Sequence, residues 1–212
     1  MKDSIGIIGR GMSIQKIDKI SNKFDQYIII NNFSEEIKVL KKYIKNKKGI
    51  HIVNNNLNSL GSKSQYEYLN IKTVIGSSFS GVGKKSKNHW KTIKKYNLGM
   101  SFITLPHELR NIAQDHEFKI FNTGLISIYY SVMILNKKNI WICGIDFYHC
   151  EYYSKKALDI YSSKGRHKTD DLKTRIPFHF IKLVKAYPKV NFHLATMADR
   201  KLFPKLNNLH LV

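Results

Sequence analysis

Ile140-Trp141-Ile142-Cys143-Gly144-Ile145-Asp146-Phe147-Tyr148 decides how this chain is read, because an apolar run feeds through a glycine into a carboxylate, an aromatic ring and a phenol. If Ile140 to Cys143 is a buried strand, the residues after it land on the sheet edge where open α/β proteins bind ligands. Upstream, Asn122-Thr123-Gly124 opens a helical pattern. Downstream, Gly165-Arg166-His167 leads into Asp170-Asp171-Leu172-Lys173, a second helix start with a histidine just outside it.

Around this stretch apolar segments alternate with amphipathic ones, the signature of a parallel sheet with crossover helices. Strands are expected at Ser4 to Ile8, Gln26 to Ile30, Ile50 to Val53, Thr73 to Ile75, Met100 to Thr104, Asn139 to Cys143 and Asn191 to Leu194, with a final edge strand within Asn208 to Val212. Helices are expected at Ser13 to Ile20, Glu35 to Lys45, Lys63 to Leu69, Asn88 to Tyr96, His107 to Ala113, Gly124 to Leu135 and Thr169 to Tyr187. Two regions break the alternation. Ser77 to Asn88, rich in glycine, serine and lysine, reads as a mobile loop. His149 to Arg166, without clear periodicity and directly after the central strand, reads as a lid. The expected fold is an α/β, Rossmann-type single domain over 1–212, mainly parallel, with helices on both faces.

The 212 residues carry a formal net charge of +21. Clustered cations favour polyanions, yet only five of the 36 basic residues are arginines, the side chain suited to base-edge and bidentate phosphate readout. Nucleic acid is therefore not the expected partner. The runs Lys41 to Lys48 and Lys84 to Lys95 read as solvated helix faces, with peripheral contact to anionic membrane second. No stretch reaches the roughly 20 apolar residues of a spanning helix, and the short run Ile5 to Ile8 is not a secretory h-region. Cys143 and Cys150 make neither a disulfide framework nor a zinc site. The default location is cytoplasmic, with peripheral contact at the inner face of the membrane.

Several constellations suit a ligand. Gly9-Arg10-Gly11-Met12-Ser13 stands between strand and helix, where glycines bring backbone amides close to a phosphate or ribose. Ile14 occupies the place of the next fingerprint glycine, so no NAD site is expected, and a plain turn with Ser13 as helix cap explains the pattern equally well. Asn31-Asn32 and Asn54-Asn55-Asn56 end the second and third strands, as turn residues or as amides that donate and accept toward a nucleotide. Asp146 serves either as a cap or in ribose recognition. Tyr148, Tyr152 and Tyr153 either pack the loop or donate to a departing phosphate. His167 stands out among nine histidines, since Arg166 and Lys168 favour a neutral imidazole able to accept a proton. There is no Asp-x-Asp for a divalent metal, no G-x-S-x-G elbow and no Walker loop.

In this order, Gly9 to Ile14, Phe24-Asp25 through Asn31 and Phe33, Asn54, Thr123-Gly124, Gly144 to Tyr148, His167 to Lys173 and Pro204 onward, the segments resemble bacterial sialyltransferases of glycosyltransferase family forty-two. The resemblance spans nearly the whole chain. It implies a GT-A-like, modified Rossmann-type domain that transfers a sugar from CMP-sialic acid, or a related CMP-linked nonulosonate, with inversion and without metal or other cofactor, to a glycan or glycolipid acceptor. On this basis His167 is the general base and Tyr148, with Tyr153 or Tyr152, stabilises the leaving phosphate. Gly9, Arg10, Gly11, Ser13, Asn31 and Asn54 hold nucleotide and donor sugar, and Asn122, Thr123, Gly124 and Asp146 complete the cytidine and ribose site. Arg10 stands where the family usually has asparagine, and arginine grips a phosphate or carboxylate more strongly. The alternative from another class is a non-catalytic nucleotide- or polyanion-binding protein on the same fold. A diphosphokinase-like enzyme with a related G-x-G-x-S start is weaker still, and a homo-oligomer is left open.

Overall fold

The computed structural model describes residues 3–54, 56–77, 84–117, 122–153 and 167–212, with the backbone alone at 85 and 167–171. Among these, eight strands form one sheet: β1 (Ser4–Ile8), β2 (Gln26–Ile30), β3 (Lys48–Val53), β4 (Ile71–Gly76), β5 (Ser101–Thr104), β6 (Asn139–Cys143), β7 (Asn191–Ala195) and β8 (Leu209–Leu211). Their spatial order is β5-β4-β3-β2-β1-β6-β7-β8, and every neighbouring pair is parallel. The expected, mainly parallel sheet is thus wholly parallel in the described residues.

The apolar runs are continuous because side chains alternate between two buried faces. In β1, Ile5 and Ile7 join one core cluster and Ile8 the other; in β6, Ile140 and Ile142 face the first while Cys143 faces the second. The second face is covered by α1 (Ile17–Ile20), α2 (Ile37–Ile44), α3 (Lys63–Tyr68) and α4 (Lys84–Tyr96), which contribute Ile17, Leu40, Tyr66 and Ile93. The first is covered by α5 (His107–Asp115), α6 (Thr123–Tyr129) and α7 (His167–Ala186), through Leu109, Ile128 and Phe180. The layers change sides where the chain returns from the β5 edge to β6 beside β1. Doubly wound sheets bind ligands at such a reversal, outside the C-terminal strand ends.

Several elements differ from the expectations. The helix expected at Ser13 to Ile20 is a 3₁₀ turn, Met12–Lys16, running into the single turn of α1. The expected loop Ser77 to Asn88 is helical from Lys84, and the inward positions of that first stretch are Ser86, His89 and Ile93. Two of these three are polar, so the apolar period starts late in sequence. Helix α6 passes into a π turn at Tyr130–Ile134, and Ser127 and Ser131 each donate to the carbonyl four residues earlier, at 2.8 Å. His167 begins α7 rather than preceding it.

The expected lid is described only over 149–153. There Tyr152 makes an antiparallel bridge to Gly11, Tyr153 N donates to Arg10 O at 2.8 Å, and Met12 N to Glu151 O at 3.2 Å. Positions 154–166 lie outside the described residues. Pro177, inside α7, has no N–H for the carbonyl of Lys173. His149 Nε2 donates to that carbonyl instead, at 3.0 Å, and ties the segment after β6 to the helix.

Candidate ligand site

At the reversal the loops after β1 and β6 meet backbone to backbone. A Cβ on Gly9 would strike the Gly144 carbonyl, and Gly144 also holds φ +69°, so both positions require glycine. Gly9 N donates to Cys143 O at 2.8 Å and Gly11 N to Gly144 O at 2.7 Å. Gly144 N donates to Ser13 Oγ at 2.8 Å, and Ser13 N to Asp146 Oδ2 at 2.9 Å. Asp146 Oδ1 accepts from Thr196 Oγ1 at 2.9 Å and Met197 N at 2.8 Å. This buried carboxylate therefore clamps the ends of β1, β6 and β7 together. Gly9 and Ser13 serve the clamp and do not line the cavity beside it.

That cavity has a volume of about 350 Å³, at the small end of the roughly 300–1,000 Å³ range of ligand pockets. Asn31 and Asn54 form one wall, and their amides have a fixed sense. Asn31 Oδ1 accepts from Asn54 N at 3.0 Å and Thr123 Oγ1 at 3.3 Å; Asn54 Oδ1 accepts from Asn56 N at 3.1 Å and Ser59 Oγ at 2.7 Å. Backbone N–H groups only donate, so each oxygen must point to its N–H and each NH₂ away from it. Both NH₂ groups lack a hydrogen-bond partner among the described residues.

Asn31 adopts φ +51°, a conformation asparagine tolerates. His51, fully buried on β3, secures it: Nε2 contacts Asn31 O at 2.7 Å and Nδ1 contacts Tyr66 Oη at 2.9 Å. A carbonyl only accepts, so Nε2 carries the hydrogen and Nδ1 accepts from Tyr66, whose oxygen takes Gly61 N at 3.0 Å. Burial pushes the imidazole down to about 3, against the bond to Asn31, and keeps it neutral. The sequence offered no sign of this role beyond a histidine inside an apolar strand.

Arg10 forms another part of the wall. Its Nε donates to Glu36 Oε1 at 3.2 Å, and its guanidinium lies 5.8 Å from the centre of the Tyr152 ring. Burial raises the Glu36 carboxyl, with the Arg10 charge opposing. Of the two tyrosines weighed for the leaving group, Tyr152 lines the cavity, whereas Tyr153 packs on the α1–α4 side. Neighbouring residues of an extended segment point opposite ways, which separates them.

Opposite lie α6 and the residues after β6. Asn122 caps α6, Oδ1 accepting from Leu125 N at 2.9 Å, and its Nδ2 donates to Tyr148 Oη at 3.3 Å. Phe147 and Tyr148 hold φ of +53° and +65°, two consecutive non-glycine residues in the left-handed region. Phe147 is anchored in the core against Phe180 and Phe203, ring centres 5.3 Å away in both cases. Such strain persists where the surroundings impose it, and it marks functional turns. Cys150 adds a thiol, raised by burial and by Asp146, and Leu172 and Ile176 of α7 close the wall.

Arg10, Gly11, Asn31, Asn54, Asn122, Thr123, Gly124, Asp146 and Tyr148 thus share one cavity. His167 begins α7 five residues before Leu172, and its side chain lies outside the described residues. Cys150, Tyr152, Leu172 and Ile176 join the wall without having been singled out for it, Tyr152 excepted as one of two options. Among the described residues no group of three or more His, Cys, Asp or Glu is arranged to hold a metal ion. No family model matches the chain, and neither a curated protein nor a solved structure matches it significantly.

Proposed function

We propose that this chain is an inverting, metal-independent glycosyltransferase on a GT-A-like variant of the Rossmann-type fold, moving sialic acid or a related nonulosonate from a CMP-sugar to a glycan hydroxyl. The supporting observation is that residues which carry the family resemblance, spread from Arg10 to Tyr148, line one cavity at the sheet's reversal point.

In this reading the NH₂ groups of Asn31 and Asn54 and the Arg10 guanidinium donate to the anionic parts of the donor, and Thr123 and Gly124 lie along the nucleotide. Asp146 acts at a distance, holding three loops in register. The bond from the anomeric carbon to the CMP phosphate oxygen breaks through an oxocarbenium-like state. Its electron pair leaves with the phosphate, whose growing charge Tyr148 and Tyr152 meet with phenol hydrogen bonds. The acceptor oxygen attacks from the opposite face and gives its proton to His167. With no Asp-x-Asp in the chain, charge compensation in this scheme falls to Arg10 and the neutral donors.

Incubation with CMP-sialic acid and a panel of galactosides, read by mass spectrometry, tests the reading. Transfer survives EDTA. His167→Ala loses transfer by a factor of about 10² to 10⁴ with CMP affinity unchanged, and Tyr148→Phe slows both transfer and hydrolysis of the donor by water. Transfer at the parent rate by His167→Ala under saturating acceptor would remove the base from the scheme. The high positive charge favours a second reading, a non-catalytic polyanion-binding protein. Thermal stabilisation by oligonucleotide or ATP but not by CMP would select it.

A further inference from the structure

Arg10 brings a cation to the cavity wall and leaves most of its donors unused. Its side chain is 15% exposed, and Nε donates to Glu36 Oε1. A guanidinium has five N–H donors; among the described residues the four on the terminal nitrogens have no acceptor. They stand on a part-buried side chain at the cavity wall and can serve a ligand. On the next two strand ends the cavity-lining Asn31 and Asn54 keep NH₂ groups without a partner among the described residues. Of the nearby carboxylates, Asp146 is taken by Ser13, Thr196 and Met197, and Glu36 is turned to Arg10 through Oε1 and buried away from the cavity. A ligand group seated here meets donors and one positive charge.

Glu36 is the less expected member. Its side chain is 1% exposed, it does not line the cavity, and Oε2 has no hydrogen-bond partner among the described residues. A buried carboxylate with a bare oxygen is a poor stabiliser by itself. Its position has a use, however: gripping Nε fixes the plane of the guanidinium, and the two terminal nitrogens of this cavity-lining residue are left as a fork with no acceptor among the described residues.

We propose that Arg10 and Glu36 form an anion anchor, in which the Arg10 fork takes a phosphate or carboxylate of the ligand and Glu36 is a positioning residue acting through Arg10 alone. This deepens the reading of the same cavity and rests on it for the site, but not for the base or sugar of the ligand.

Calorimetric titration of CMP, cytidine and inorganic phosphate into the parent, Glu36→Leu, which has no acceptor for Arg10 Nε, Arg10→Gln and the double variant tests the anchor. Each variant weakens CMP by roughly 10-fold to 100-fold, the range for hydrogen bonds to charged groups, and leaves cytidine unchanged. The double variant is no weaker than Arg10→Gln alone, since Glu36 has no separate contact to lose. Additive losses, or equal losses for CMP and cytidine, overturn the positioning role. If CMP fails to bind while phosphate binds the parent and is lost in both variants, the anchor stands and the CMP-sugar reading falls. Cytidine binding as tightly as CMP sinks the anchor and spares the nucleotide reading; no binding of CMP or phosphate sinks the anchor. Should Glu36→Leu not fold, Arg10→Lys carries the test: it keeps the charge but has no Nε for Glu36. Its preference for CMP over cytidine falls roughly 10-fold, and an unchanged preference overturns the proposal.

Discussion

His51 shows what a single buried side chain does for the cavity. Its two ring nitrogens are committed to Asn31 and Tyr66, and its imidazole is pushed down to about 3, against about 6.5 in the unfolded chain. Above pH 6.5 both states are neutral and the residue adds no pH dependence. Below that the unfolded chain binds a proton the folded one refuses, so stability falls by about 1.4 kcal/mol per pH unit until the folded value is reached. Urea denaturation at pH 7 and pH 5 should therefore differ by roughly 2 kcal/mol through this residue. His51→Leu should remove that part of the difference while costing about 1–3 kcal/mol at pH 7 for each group left unpaired. Asp146→Asn should cost more than 1 kcal/mol as well, because an amide oxygen and NH₂ cannot replace a carboxylate that accepts three hydrogen bonds. The candidate site was legible in sequence where strand-end residues and glycines mark it, as at Asn31, Asn54 and Gly144. The choice between Tyr152 and Tyr153 depended on which way one extended segment points, and the roles of His51 and Glu36 on contacts 20 and 26 residues away. Local pattern carries no such information.

The strands were readable because burial on both faces writes uninterrupted apolar runs, and β1, β2 and β6 fall where those runs lie. Helix boundaries were less so. The start of α4 turns Ser86 and His89 inward, which no hydropathy period reports, and α1 is a single turn between two 3₁₀ stretches. In α7 the proline is visible in sequence, but its partner is not. The carbonyl it leaves open is filled by His149 from the segment after β6. His149→Ala should loosen residues 149–153, read as faster amide exchange there, while changing global stability by less than about 1 kcal/mol. Pro177→Ala restores an N–H that competes for the same carbonyl, so it should speed exchange in 149–153 as well, while leaving the C-terminal half of α7 at least as protected as before.

Across the molecule, two helices of one layer carry clusters of lysine. Exposed Lys41, Lys42 and Lys45 on or at the end of α2 and Lys84, Lys87, Lys91, Lys94 and Lys95 on α4 belong to the helical layer on one side of the sheet, and Trp90 on α4 is 44% exposed. Among the described residues no helix is long and apolar enough to cross a membrane. Lysine clusters in general attract anionic lipid peripherally, by about 1 kcal/mol per lysine near the surface, and salt screens the attraction. If the layer binds membrane and the proposed transfer holds, neutralising Lys87, Lys91, Lys94 and Lys95 should weaken binding to phosphatidylserine liposomes and leave turnover on a soluble acceptor nearly intact; a collapse of turnover would place α4 in the proposed active site. The reversal at β1 also governs how the chain comes off the ribosome. β1 is made first but pairs on one side with β6, about 135 residues later, which at 5–20 residues per second leaves that side of the strand waiting roughly 7–27 s. Until Cys143 and Asp146 emerge, Gly9 and Ser13 lack their partners, and the apolar strand Ser4–Ile8 offers an open edge to any neighbouring chain. A nascent fragment ending before β6 lacks both the β6 wall of the cavity and the second partner of β1, so early termination of synthesis should yield aggregation-prone product rather than a smaller working protein.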